Sequence, residues 1–183
     1  VRTIYEAPIS FFNQKLDKQV LKYFKIKSKK RPNLLPWKKI TKISLNTKKL
    51  VNIAIIGKYV NLKDAYKSLD EALIHGGISN KVRVNLVRIE SDKLKVNQIR
   101  KKLKNVSGLL IPGGFGKRGT EGKISAIKYA RENKIPFLGI CFGMQMAIIE
   151  FARNKLKIKN AGSSELDKKC YPVIGLINEW DKK

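Results

Sequence analysis

Between residues 51 and 153, short apolar runs alternate with longer stretches of helical spacing, and glycines punctuate most of the junctions. Residues 51–56 are an apolar run ending at Gly57. Residues 62–74 carry apolar side chains at helical spacing before Gly76-Gly77, where the helix is expected to stop. Strand-like alternation returns over 82–89, and the spacing then predicts a short helix over 96–103 and a buried strand over 108–111. A helix over 119–132, a strand over 135–140 and a helix over 142–153 complete the series. Strands alternating with helices call for a mostly parallel, open sheet covered by helices on both faces, so the expected class is α/β. In such sheets ligands bind outside the carboxyl ends of the strands, and two glycine-rich turns fall at those ends.

The first 45 residues lack this alternation. A helix is expected around 11–24, followed by a basic segment over 27–37, where Arg31-Pro32-Asn33 and Pro36 mark a linker or turn. The expected boundary lies between 1–48, the tail of another unit, and 49–183. With 183 residues, 43% of them hydrophobic, the chain can bury one full core and a short appendage. No run of about 18 apolar residues and no secretory layout at the N-terminus are present, so neither a membrane span nor a membrane partner is expected.

The formal net charge is +26, and basic surfaces gain affinity for nucleic acids by releasing counterions from phosphates. Here the lysines are scattered through every segment, including helix positions such as Lys67, Lys101, Lys102 and Lys128, with no aromatic-interleaved stripe. The expectation is no nucleic-acid partner. Two cysteines, Cys141 and Cys170, without a Cys-x-x-Cys and with one histidine, point to a reducing, cytoplasmic setting and no metal site.

Chemistry concentrates at Gly139-Ile140-Cys141-Phe142-Gly143, where the strand over 135–140 meets the helix over 142–153. Glycines on both sides permit a sharp turn, and the thiol stands at a helix N-terminus, whose dipole favours negative charge. That is the layout of a nucleophile elbow, so Cys141 is the expected nucleophile. A second turn, Ile111-Pro112-Gly113-Gly114-Phe115-Gly116, follows the strand over 108–111. A thiol attacking a carbonyl needs two amide donors for the developing oxyanion. One is expected from this loop and one from Phe142. The loop lacks the lysine and serine or threonine of a phosphate-binding P-loop.

The two motifs together resemble the class I glutamine amidotransferases, whose elbow cysteine attacks the side-chain amide of glutamine. Longer strings resemble the CTP synthase family within that group: Gly57-Lys58-Tyr59-Val60 with Asp64-Ala65-Tyr66-Lys67-Ser68, Ala130-Arg131-Glu132-Asn133-Lys134-Ile135-Pro136, and the run from Gly139 to Gln145. Ser163-Ser164-Glu165, Tyr171-Pro172-Val173 and Glu179-Trp180 continue the resemblance. Ile4-Tyr5-Glu6-Ala7-Pro8 resembles the end of a synthetase domain, with 27–46 as the interdomain linker.

The resemblance implies a flavodoxin-like amidotransferase fold, truncated, in which Cys141 forms a glutamyl thioester and releases ammonia. It places Gly113 and Phe142 as oxyanion amides. Gly114, Phe142, Gly143, Met144, Gln145 and Glu165 would hold glutamine, with Glu165 accepting its ammonium. The loop over 115–122 resembles the family's mobile lid, where GTP promotes hydrolysis. For the whole enzyme the resemblance implies ATP, UTP, Mg2+ and allosteric GTP, and a homotetramer; no cofactor is expected on this part. The family's general base, a histidine followed two residues later by glutamate, has no counterpart here, and His75 reads as structural. The 183 residues alone are therefore expected to be inactive in turnover, while glutamine is the expected partner of the nucleophile and pocket they supply. The alternative expectation is a non-catalytic split product that binds a complementary fragment.

Overall fold

The computed structural model describes residues 1–28, 30–60, 62 and 64–175, so Glu179-Trp180 lies outside the described residues. The chain divides into two compact units, Val1–Leu50 with Glu71–Arg83 and Val51–Asp70 with Val84–Lys183. Among the described residues no helix is long and apolar enough to cross a membrane.

The first unit is helical. A 3-10 turn at Ile4–Glu6 leads into α1 (Ala7–Asn13), α2 (Leu16–Tyr23) and α3 (Leu35–Asn46). The helix expected over 11–24 is thus two helices. The break is at Lys15, which takes left-handed backbone angles (φ 61°) while its N–H donates to the Phe12 carbonyl at 2.9 Å. Left-handed geometry costs a non-glycine residue roughly 1–2 kcal/mol. Packing of α1 on α2 opposes that cost.

Helix α3 occupies most of what the sequence marks as a linker. Pro36 is the reason: proline in the first helical turn lacks only an N–H that would go unpaired there, so it starts a helix as readily as it makes a turn. Asn33 Oδ1 accepts the Leu35 N–H at 3.0 Å, satisfying one of the free donors. Tyr5 is buried, and its ring centroid lies 5.2 Å from that of His75. Burial, and then the negative charge of Glu71, raise the Tyr5 hydroxyl above its ordinary pKa.

Helix α4 (Lys67–Ser79) begins later than the spacing suggests and runs through Gly76-Gly77. Two helical glycines cost roughly 1 kcal/mol each, which does not end a helix already formed. It stops instead at Lys81 (φ 53°), where the Val82 N–H donates back to the Gly77 carbonyl at 2.9 Å.

The second unit carries the sheet: β1 (Leu50–Gly57), β2 (Arg83–Glu90), β3 (Gly108–Ile111) and β4 (Phe137–Gly139), in the order β2-β1-β3-β4. Strand β3 pairs parallel with both neighbours, Ala54 opposite Leu109 and Ile111 opposite Gly139. Side chains of one parity, Ala54, Ile56, Leu109 and Ile111, join a core with α5 (Val96–Leu103), α6 (Thr120–Glu132) and α7 (Phe142–Asn154). Ile55 and Leu110, of the other parity, are also buried, as strands covered on both faces require. Each such aliphatic contributes roughly 1.5–3 kcal/mol by leaving water. The fold is therefore the expected α/β arrangement, a parallel sheet flanked by helices. Two short strands not anticipated, β5 (Ala161–Ser163) and β6 (Tyr171–Ile174), pair parallel and contact α7.

Helices α6 and α7 are also clamped by an ion pair whose carboxylate is buried. The Arg131 guanidinium donates to both Glu150 carboxylate oxygens, at 2.8 Å and 3.0 Å, while Glu150 is 1% exposed. Hydrogen bonds to Glu150 raise the Arg131 pKa further.

Candidate active site

Cys141 is exposed and sits between the end of β4 and the start of α7 with φ 50° and ψ −106°. Such angles in a non-glycine residue carry strain of roughly 1–3 kcal/mol and persist only where the surroundings impose them. The surroundings do so here. The Ile140 N–H donates to the Ile111 carbonyl at 3.0 Å, the Gly143 N–H to Ile140 at 2.9 Å and the Gln145 N–H to Cys141 at 3.1 Å.

Both flanking glycines are required by close approach. A Cβ on Gly139 would lie 2.6 Å from the Gly143 carbonyl carbon and from the Met144 nitrogen, and one on Gly143 would lie 2.9 Å from the Ile111 carbonyl carbon. The glycine spacing around Cys141 is thus the condition for laying α7 across the ends of β3 and β4.

Gly113 lies beside the thiol: a Cβ built on it would be 3.8 Å from Cys141 Cβ. Among the described residues neither the Gly113 N–H nor the Phe142 N–H has a partner in the chain. The Phe142 N–H is free because it opens α7, and with the exposed Gly113 backbone beside Cys141 it leaves donors near an exposed thiol that a negatively charged oxygen can use. The other expected site residues are spread around this point. Gly114 follows Gly113 in the loop, Phe142 and Gly143 are buried under the first turn of α7, and Gln145 is half-buried. Met144 is 53% exposed beside a groove shared with Ile148 and Phe151. Glu165 is exposed just beyond β5, its N–H donating to Ser163 Oγ at 3.3 Å; among the described residues no bond joins it to the elbow.

The loop after Gly114 is pinned from several sides. The Lys58 ammonium donates to the carbonyls of Phe115 and Gly116. Arg118 pairs with Asp92 at 2.9 Å, its guanidinium 5.7 Å from the Tyr59 ring centroid. Gly119, at φ 75°, lets α6 start against the turn after β2, where a Cβ would meet Asp92 Oδ1 at 2.8 Å. The last three residues of the expected lid, Thr120 to Gly122, form the first turn of α6.

One residue of this region went unnoticed in the sequence. Lys123 on α6 is 1% exposed, with its ammonium 4.7 Å from the Phe142 ring centroid. Burial, then the nearby Lys58 charge, lower its pKa to about 8, with Asp92 opposing. A signal existed: Lys123 shares a helical stripe with Ile127 and Ala130, both buried. His75 meets Tyr5 with its ring tilted, Cys170 packs against Gly162, and both cysteines are free thiols.

Known proteins resemble this chain over most of its length. Residues 61–175 match the family described as glutamine amidotransferase class-I. The CTP synthase of Pelagibacter ubique (strain HTCC1062) is 79% identical over 182 residues, covering 100% of this chain and 34% of that protein. The CTP synthase of Gluconobacter oxydans (strain 621H) is 50% identical, covering 98% and 33%. The chain thus spans about a third of the length of the curated relatives it matches. Among solved structures, the glutaminase domain of Trypanosoma brucei CTPS with bound acivicin aligns at a TM-score of 0.66 and 36% identity, over 70% of this chain and 50% of that one. The family match spans both glycine turns and Cys141, and the chain belongs to the class-I glutamine amidotransferase family.

Proposed function

We propose that this chain carries the glutamine-hydrolysing centre of a CTP-forming enzyme. The observation that carries the reading is the exposed Cys141 thiol, held in a strained turn at the start of α7 beside Gly113. In the proposed reaction the thiolate sulfur forms a bond to the side-chain amide carbon of glutamine, and the carbonyl electron pair moves to oxygen. The Gly113 and Phe142 amides donate to that oxyanion. As the carbonyl re-forms, the carbon–nitrogen bond breaks and nitrogen leaves as ammonia after taking up a proton. Water then cleaves the thioester to glutamate and frees the thiol.

Gly114, Gly143, Met144 and Gln145 shape the pocket around the reacting amide, and Glu165 accepts the substrate's ammonium group. Among the described residues no side chain hydrogen-bonds the Cys141 thiol, and its proton acceptor is assigned to the larger protein, as the resemblance implies. Ammonia would then serve amination of UTP at the expense of ATP, giving CTP, ADP and phosphate, with Mg2+ and GTP acting on the larger protein. The likeness to CTP synthases supports this assignment.

The test uses the full-length protein and its Cys141→Ala variant, supplied with UTP, ATP and either glutamine or ammonium. The expected result is loss of CTP formation from glutamine and its retention from ammonium. Equal glutamine-driven CTP formation by both proteins contradicts the proposal.

A further inference from the structure

Behind the glycine loop lies a cavity of about 170 Å³, lined by Tyr59, Tyr66, the 113–115 loop and two lysines, Lys58 and Lys123. The two lysines are differently placed. Lys58 is half-exposed and spends its ammonium on the carbonyls of Phe115 and Gly116. Lys123 is buried, and its ammonium forms no hydrogen bond or ion pair among the described residues. Asp92, the acidic group that acts on it, is already held by Arg118.

An ammonium drawn out of bulk water without a partner in the chain costs stability, so its neighbours matter. They are the ring of Phe142, 4.7 Å from the ammonium, and Gly114, where a Cβ would lie 3.9 Å from it. Phe142 bears one open amide beside Cys141, and Gly114 directly follows Gly113, which bears the other. A single cation therefore lies against the residue that follows Cys141 and against the neighbour of Gly113. A ring face attracts a cation, and that attraction strengthens out of water. Fixed positive charge behind a developing oxyanion lowers its energy most when it need not reorganise.

We propose that Lys123 is a positioning residue of the glutaminase centre, its ammonium seated on Phe142 and against Gly114 so that the two amides flanking Cys141 are fixed with positive charge behind them. The inference rests on the function proposed above. Lys123 does not touch substrate; it acts through the groups that do. The charged groups that bear on it are Lys58 and Asp92, and neither neutralises it.

The experiment measures glutaminase kcat and KM from about pH 6.5 to 9.5 for the full-length protein, its Lys123→Met variant and its Phe142→Leu variant. Removing a direct oxyanion donor costs 10²–10³ in kcat, so an indirect support is expected to cost roughly tenfold. For Lys123→Met, kcat should fall about that much with KM within about twofold. The wild-type kcat should also decline on the alkaline side near pH 8, a limb absent from Lys123→Met. Phe142→Leu keeps the amide and removes the ring, so its alkaline limb should move to lower pH; this arm stands even if Lys123→Met fails to fold. Wild-type turnover with unchanged kcat and pH profiles in both variants overturns the role of Lys123 and leaves the glutaminase reading intact. Absence of Cys141-dependent glutamine hydrolysis in the wild type overturns both.

Discussion

Gly143 faces the carbonyl group of Ile111 so closely that a Cβ on it would lie 2.9 Å from the carbonyl carbon and closer still to the oxygen. That approach lets α7 begin directly over β3 and presents Cys141 at the end of the sheet. Gly143→Ala must push helix and strand apart, at a cost of about 3 kcal/mol, the upper part of the usual overpacking range. For a chain of this size the thermal midpoint should drop roughly 6–12 °C. Scanning calorimetry checks it, and Gly76→Ala, where a Cβ meets nothing within 4 Å, should not lower the midpoint.

Lys123 makes stability depend on pH in an unusual direction. Its pKa is about 8 folded against 10.5 as the ordinary value. Between these values the unfolded chain holds a proton that the folded chain has released, so this residue makes stability rise with pH across the window. Below about pH 8 the full cost of burying the charge, about 3 kcal/mol, is present. Lys123→Met gives up a cation–ring contact but escapes that cost, so the variant should be about 1–2 kcal/mol more stable at pH 7. The gap should narrow toward pH 10. Urea unfolding at both pH values measures it; a variant destabilised equally at both would show that the ammonium is not penalised.

The Arg131–Glu150 pair should respond asymmetrically. Glu150 is 1% exposed, whereas the Arg131 side chain keeps 30% of its surface. Arg131→Met strands a buried carboxylate and should cost about 3–5 kcal/mol. Glu150→Leu frees a guanidinium that reaches water, so the loss should be clearly smaller. The double variant should recover most of the Arg131→Met loss in urea unfolding, since apolar replacement of a whole buried pair is often nearly neutral.

The alternation from β1 to α7 was legible because strands and helices impose different periods on the apolar residues. The breaks between helices were harder to read. Lys15 turns the chain as a glycine would, yet lysine is a good helix former and gives no sign of it. Pro36 and Gly76-Gly77 mislead in the opposite sense, one opening a helix and the other lying inside one. At the elbow, glycines carry the message because each replaces a side chain that backbone would occupy. Lys123 was readable only as a charge out of place on an apolar stripe, and among 40 lysines and arginines such a residue is easily taken for surface. Tertiary burial, not local pattern, singles it out.

The central claim is that Cys141 is built to attack glutamine, and site-resolved labelling tests it most directly. The protein is treated with a glutamine analogue bearing an electrophilic carbon in place of the amide, with and without excess glutamine, and its peptides are weighed. Cys170, a half-buried free thiol, is the internal control. The account predicts a single adduct on Cys141, suppressed by glutamine and absent from Cys141→Ala. Labelling of Cys170 as fast as Cys141, or labelling of Cys141 that glutamine does not slow, would contradict it.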